Sequence, residues 1–486
     1  MNIPISIFYI LILLWISLWI NKKYIKELPK TTLPIMFIIK LLFAGVFIYI
    51  YTYYYGDGEL SEDSADFLHD SKVLFDLFFQ SPSDFFQIFF DINRDTNYLE
   101  HHLSETSKWL GGNHLIYNDT KNIIRINTLF YFFSFGTFYT HFILFSFISL
   151  MGALELFQWI KTKTTLPLLF VLLLLVAIPG ISVWGSSNLK EPMIILGLAL
   201  FFRGMFDKEV RNRRLRVVSG AILLLLFKSY IFVVCILVVI LVLFFKTFKK
   251  TALSLITFST FGLILFLTFS NTITNIISNK QADFMNVAKG GLYLYGDDEN
   301  FYYIPIESTH LLTFKNENYV LIEKPVEAYA MKKNERIERV PILLNEIGVQ
   351  YKIHLNMVGA KSELNYTLIN GSTKQLLLNI PESLRITFLE PIPTKNSSNL
   401  QYYSFFENIL YILMFLIGVY SVIKNKIKEQ EIFFSLMFYM LILSIGMGWV
   451  TTISGAIVRY MIPVHLMIVV FFIYFFRFNW KSKANL

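Results

Sequence analysis

The sequence predicts an all-α polytopic membrane protein with about 11 transmembrane helices and a small extracytoplasmic insert of mixed α/β or β type. Three observations carry this reading. Hydrophobic residues make up 55% of the 486 and charged residues 16%, with a mean hydropathy of +0.53, a balance that soluble domains do not have. Apolar runs of about 17 to 25 residues, the length a bilayer core requires, recur along the chain. The Lys and Arg residues between those runs fall almost wholly on alternate loops. Aromatic residues reach 17%, which excludes a disordered, collagen-like or coiled-coil chain and suits lipid-facing helices with interfacial belts.

The spanning runs lie near 4 to 20, 33 to 54, 137 to 160, 165 to 184, 191 to 206, 216 to 228, 230 to 246, 252 to 270, 404 to 423, 432 to 450 and 460 to 476. The first lacks a small-residue cleavage site and reads as a retained helix. If the runs alternate strictly, one set of loops gathers 21 basic residues, from Lys22 and Lys23 through Lys208, Arg211, Arg213 and Arg214 to Lys428, Lys481 and Lys483. The short loops opposite hold only Lys190, Lys228 and Arg459. The positive-inside rule then makes the first set cytoplasmic, with the N-terminus outside, the C-terminal tail inside, and the plasma (inner) membrane as the location. The net charge of +8 is thereby a topology signal rather than a nucleic-acid footprint.

Domain organisation follows. Residues 1–54 hold the first two helices. Residues 55–136 form an extracytoplasmic loop in which Val73 to Phe79 and Asp84 to Phe90, too short to span, read as amphipathic helices on the membrane surface. Residues 137–270 carry the third to eighth helices. Residues 271–403 form an extracytoplasmic domain with strand-like stretches at Tyr319 to Ile322, Arg339 to Leu344 and Tyr351 to Leu355, and 404–486 carry the last three helices and the tail.

Ionisable groups in or beside spanning helices are costly, so each is a candidate for function. The first cluster is Asp57 followed by Glu62, Asp63, Asp66, His69 and Asp70. On a helix N-capped by Ser61, Glu62, Asp66, His69 and Asp70 share one face. Such a face suits a divalent cation, Mg or Mn, or a general base with its pKa raised by like charges. No other cofactor is called for. The second is the turn Trp184-Gly185-Ser186-Ser187-Asn188-Leu189-Lys190-Glu191-Pro192. There the Ser186 and Ser187 hydroxyls can cap the next helix, and its N-terminus with Lys190 makes an anion site for phosphate. The third is Arg459, the sole basic residue of its loop, with guanidinium geometry suited to a phosphate. Lys228 and Tyr230, at a further turn, can join the same basic pocket. His141, Glu155 and Glu407 read equally as interhelical hydrogen bonds or site walls. His101 and His102 read as solvated. Cys235 is the only cysteine, so no disulfide or thiolate metal site forms. No Walker loop, dinucleotide fingerprint, HExxH or nucleophile elbow occurs, which argues against an ATP-driven pump, a nucleotide-cofactor enzyme or a zincin.

Residues 61 to 79, Arg125-Ile126-Asn127 before a long helix, WGSSNLKEPMIILGLAL, the FLEPIP to FFEN stretch near 388 to 408, and GAIVRYMIP near the end occur in an order that resembles one group. These are the bacterial polytopic membrane glycosyltransferases of the GT-C type and the O-antigen or exopolysaccharide repeat-unit polymerases. The resemblance implies transfer from a polyprenyl-phosphate-linked sugar or glycan at the extracytoplasmic face, in polysaccharide or glycoconjugate assembly. It makes Asp63 the leading acid, as base or metal ligand with Asp66, with Asp57 in reserve. It makes Lys190 and Arg459 the holders of the donor phosphate; Lys228, Ser186 and Ser187 are read as further phosphate contacts, and Glu191, His69, Arg125 and Glu407 as other residues of the site. A repeat-unit polymerase of the same pathway, and a lipid-linked glycan flippase without chemistry, use the same phosphate contacts.

Overall fold

The computed structural model describes residues 3–109, 118–297, 299–316, 318–332, 335–357, 359–360, 362–369, 371–395, 397–426 and 429–477. Lys428, Lys481 and Lys483 of the charge pattern, and with them most of the C-terminal tail, lie outside these. The helices are α1 Ile3–Tyr24, α2 Thr32–Tyr49 with a π-helical extension Ile50–Tyr54, α3 Glu62–Gln80, α4 Pro82–Phe89, α5 Thr96–Leu103, α6 Asp119–Ser134, α7 Tyr139–Ile160, α8 Leu168–Ala177, α9 Pro179–Trp184, α10 Glu191–Phe206, α11 Arg213–Phe227, α12 Ser229–Phe248 and α13 Thr251–Lys289. After a sheet come α14 Thr373–Leu378, α15 Ile380–Leu389, α16 Asn399–Asn425, α17 Gln430–Val450, α18 Ser454–Tyr460 and α19 Ile462–Phe475.

Among the described residues, seven helices are long and apolar enough to cross a membrane: α1, α2 with its extension, α7, α12, α13, α16 and α17. Counting α18 and α19, bent by 46°, as one broken span makes eight. The protein is a multi-pass helical membrane protein. The three remaining predicted spans are shorter than a straight bilayer crossing requires. The run 165 to 184 is two helices, because Pro179 holds Ile178 at ψ 118° and starts a new one. The runs at 191 to 206 and 216 to 228 are α10 and α11, of 16 and 15 residues, about 24 and 22 Å at 1.5 Å per residue, short of a core of roughly 30 Å. In the opposite sense, α13 continues 19 residues beyond its predicted end at 270, so the predicted insert begins as helix.

The chain forms two compact units, residues 1–242, 411–440 and 462–486 in the first and 243–410 with 441–461 in the second. In the first, α19 is buried almost throughout, from Ile462 to Phe475, and packs on α7, α8, α9 and α10. Helices α10 and α11 approach so closely that a Cβ on Gly220 would stand 2.6 Å from the Gly197 carbonyl oxygen and the Phe201 nitrogen. Small residues permit that approach where apolar lipid offers no hydrophobic drive to association. The stretch Val73 to Phe79 is helical as predicted, as the end of α3, and packs on α6 through Phe75, Phe78 and Phe132. Phe79, Phe86, Phe90, Phe133 and Phe135 nevertheless keep apolar surface exposed.

Among its described residues the second unit holds seven strands: β1 Gly291–Tyr295, β2 Asn300–Ile304, β3 Leu312–Asn316, β4 Tyr319–Ile322, β5 Val326–Lys332, β6 Glu335–Leu344 and β7 Gln350–Met357. All pair antiparallel, in the order β3-β4-β7-β1-β2-β5-β6. All three predicted strand stretches fall on strands. Alternation sends Leu292, Leu294, Ile304, Val320 and Val326 into one core, while Tyr293, Phe301, Tyr303 and Met331 cluster on the other face. One edge, β3, is five residues long with a register shift, and the other, β6, carries Pro341 opposite Tyr329.

Candidate anion-binding site

The second predicted cluster is the turn joining α9 to α10, and its residues are buried. Ser186, Ser187 and Asn188 have no exposure, and Lys190 and Glu191 retain 6% and 2%. The serines do not cap α10 as expected. The Ser187 hydroxyl donates to the Trp184 carbonyl at 2.7 Å and accepts from the Leu189 amide, because Lys190 already takes the N-cap position. The turn is held from outside: the Ser64 hydroxyl of α3 donates to Asn188 Oδ1 at 2.5 Å, Asn188 Nδ2 donates to the Ser64 carbonyl at 2.9 Å, and Asn127 Nδ2 of α6 donates to the Asn188 carbonyl. His141 completes the set through Asn127 Oδ1 at 2.9 Å, and thereby takes the hydrogen-bonding role foreseen for it.

Lys190 Nζ stands 3.0 Å from Asp119 Oδ2, donates to the Thr120 hydroxyl at 3.1 Å, and lies 5.5 Å from the Phe67 ring centre. Lys228 Nζ, from the break between α11 and α12, reaches the same Asp119 oxygen at 3.2 Å and lies beside the Tyr230 ring. Two ammonium groups from separate helices therefore converge on one carboxylate at the start of α6. Burial penalises the Asp119 charge, but Lys228 and Lys190 outweigh it and hold the carboxyl well below the usual range. A second cluster adjoins along α6. Asp91 accepts from Lys121 at 3.2 Å and from Arg125 at 2.5 Å, both cations stack on buried Trp109, and Arg125 also binds the Phe89 carbonyl and Asn122.

The acidic face of α3 differs from the expected one. The Ser61 hydroxyl donates to the Tyr51 carbonyl instead of capping α3. Asp63 and Asp66 share Lys108, at 3.6 and 3.3 Å. Burial lowers the Lys108 pKa, yet the two carboxylates more than reverse it and the net shift is upward. Asp70, one turn on, is fully buried and accepts the amides of Ser107, Lys108 and Trp109 at 2.8 to 3.1 Å, so it anchors a loop rather than facing a ligand. Glu62 and His69 are exposed, the latter 3.6 Å from Asp70, and Asp57 is exposed in the preceding turn. Among the described residues no group of three or more His, Cys, Asp or Glu is placed to hold a metal; Asp63 and Asp66 meet on an ammonium.

Other predicted residues have separate settings. Glu155 of α7 pairs with Arg203 at 2.6 Å and Arg216 at 3.2 Å, tying α7 to α10 and α11. Glu407 hydrogen-bonds Tyr403 one turn away. His102 is not simply solvated, since it lies 3.7 Å from Asp84. Arg459 is half-buried on α18 in the second unit. Sequence reasoning missed Asp119, Lys108, Lys121 and Asp91. The Asn118-Asp119 pair before an apolar run marks a helix start, and Asn118 does accept from the Thr120 and Lys121 amides. Lys121 and Arg125 stand at i,i+4. Nothing local marks Asp91, some thirty residues upstream.

Compared with known protein families, with curated proteins and with solved structures, the chain has no match.

Proposed function

We propose that the protein is an integral membrane glycosyltransferase that takes a polyprenyl-phosphate-linked sugar or glycan at the extracytoplasmic face, in cell-surface polysaccharide or glycoconjugate assembly. The observation that carries the reading is the convergence of Lys190 and Lys228 on Asp119 beside the N-terminus of α10. A buried pair of ammonium groups at a helix start is a seat for the phosphate of a donor, with Asp119 holding it closed until an anion arrives. Asp63 supplies the base: it neighbours Ser64, whose bond to Asn188 ties α3 to the lysine turn. In the transfer, the base takes the proton of the acceptor hydroxyl, that oxygen bonds the anomeric carbon, and the bond to the phosphate oxygen breaks with its charge received by the lysines. In this proposal the N-terminus lies outside, and Arg459, in the second unit, is a phosphate contact of its own.

The test is glycan output in a deletion strain carrying wild type, Lys190→Ala, Lys228→Ala, Asp63→Asn or Arg459→Ala, with protein levels checked by blot. The expected result is unextended lipid-linked intermediate at the outer leaflet and a fall of about 10²-fold in product for each lysine variant. Full output from all four would end the assignment. Intermediate retained on the cytoplasmic leaflet would replace transfer with flipping.

A further inference from the structure

A cavity of about 800 Å³ lies in the second unit where the end of α13 meets the aromatic face of the sheet, lined among others by Lys289, Tyr303, Glu307, Tyr329, Arg339 and Glu363. Its volume falls in the range of small-molecule sites. Tyr303, a buried lining residue, packs at a tilt with Tyr293 at 4.9 Å and with the half-buried Tyr329 at 6.2 Å between ring centres. Residues i and i+2 of a strand share a face, so the aromatic face continues past the cavity through Tyr295, Phe301 and His354, the last two stacked at 4.4 Å. The Arg339 guanidinium lies 4.3 Å over the Tyr303 ring and is fixed by Asn286 of α13.

Two basic and two acidic side chains around two tyrosines do not suit a phosphate-rich ligand, which needs surplus positive charge, nor an acyl chain, which tolerates no charges. They suit a polyhydroxylated chain, whose hydroxyls both donate to carboxylates and accept from guanidinium and ammonium, and whose ring faces lie flat on aromatic rings. The geometry points to an oligosaccharide-binding site on this sheet, with the cavity holding one end of a glycan and the exposed Tyr295 and His354, backed by Phe301, supporting the residues that follow. The inference does not depend on the transfer reading.

The test uses the full chain in a detergent without a sugar headgroup, applied to immobilised oligomers of hexose, N-acetylhexosamine and hexuronate. Wild type should be retained on at least one of them. Glu307→Gln, an exposed and nearly isosteric change, should weaken retention about tenfold, and Tyr329→Ala more. The double variant Lys190→Ala, Lys228→Ala should be retained like wild type, which separates this site from the phosphate seat. No retention of wild type on any oligomer, or retention unchanged by both Glu307→Gln and Tyr329→Ala, overturns the proposal, as does preferential capture of a mixed-charge peptide over all three.

Discussion

Asp119, a third of whose side chain is exposed, and Lys40, which is buried, are charges with opposite provisions. Asp119 has two cations, and Asp119→Asn leaves those ammonium groups facing each other, which costs stability. The variant should unfold at a lower temperature than wild type, and inorganic pyrophosphate should restore several degrees by mass action. A variant indifferent to pyrophosphate would mean that the lysine pair does not seat an anion. The pH dependence has a fixed sign. Because the folded carboxyl lies below its unfolded value of about 3.9, its contribution is complete above that value and is lost as pH falls further. Acid titration of wild type and Asp119→Asn, followed by unfolding temperature, should therefore converge at low pH; a constant gap would refute it. Lys40 of α2 is 1% exposed and has no ionic or hydrogen-bonding partner among the described residues. Lys40→Met should raise stability by about 2 kcal/mol, the scale of a lysine at a helix centre in a bilayer. A fall in unfolding temperature would show instead that the ammonium is held.

Close packing of α10 on α11 depends on glycine. A methyl on Gly220 meets backbone atoms at 2.6 Å, which cannot turn aside as a side chain can. Gly220→Ala should cost on the order of 1–3 kcal/mol, read as loss of folded protein in a detergent thermal melt. A neutral outcome would show that the two helices separate without loss. What the sequence revealed here was periodic and local. Apolar length located the seven helices long enough to cross a membrane, and the strand-like stretches at Tyr319, Arg339 and Tyr351 fall on strands. Where helices stop was less legible, since α13 outruns its apolar stretch with polar turns that docking onto Ile369 and Thr367 supports through Ser278 and Gln281. The site was half legible. Lys190 and Lys228 stood out as lone cations in short loops between apolar helices, whereas Asp119 and Asp91 acquire meaning only through partners brought from distant parts of the chain.

At the scale of the molecule, charge asymmetry predicts a topology that can be checked directly. Cys235 is fully buried, so Lys208→Cys and His310→Cys, both at exposed positions, report separately. A membrane-impermeant maleimide added to intact cells should label the cysteine at 310 and leave the one at 208 untouched; the reverse pattern would invert the orientation. The 39 residues of α13 run about 58 Å as a single helix, against a hydrocarbon core of roughly 30 Å, so about half of it stands clear of the lipid. The ends of the sheet bear on crowding. Molecules confined to a plane collide far more often than in bulk solution, and an open strand would invite each encounter to zip two copies together. Pro341 on β6 offers no amide to a newcomer, and the short, shifted β3 offers few. Both ends of the sheet are thereby poorer templates for a second copy than an unbroken strand would be.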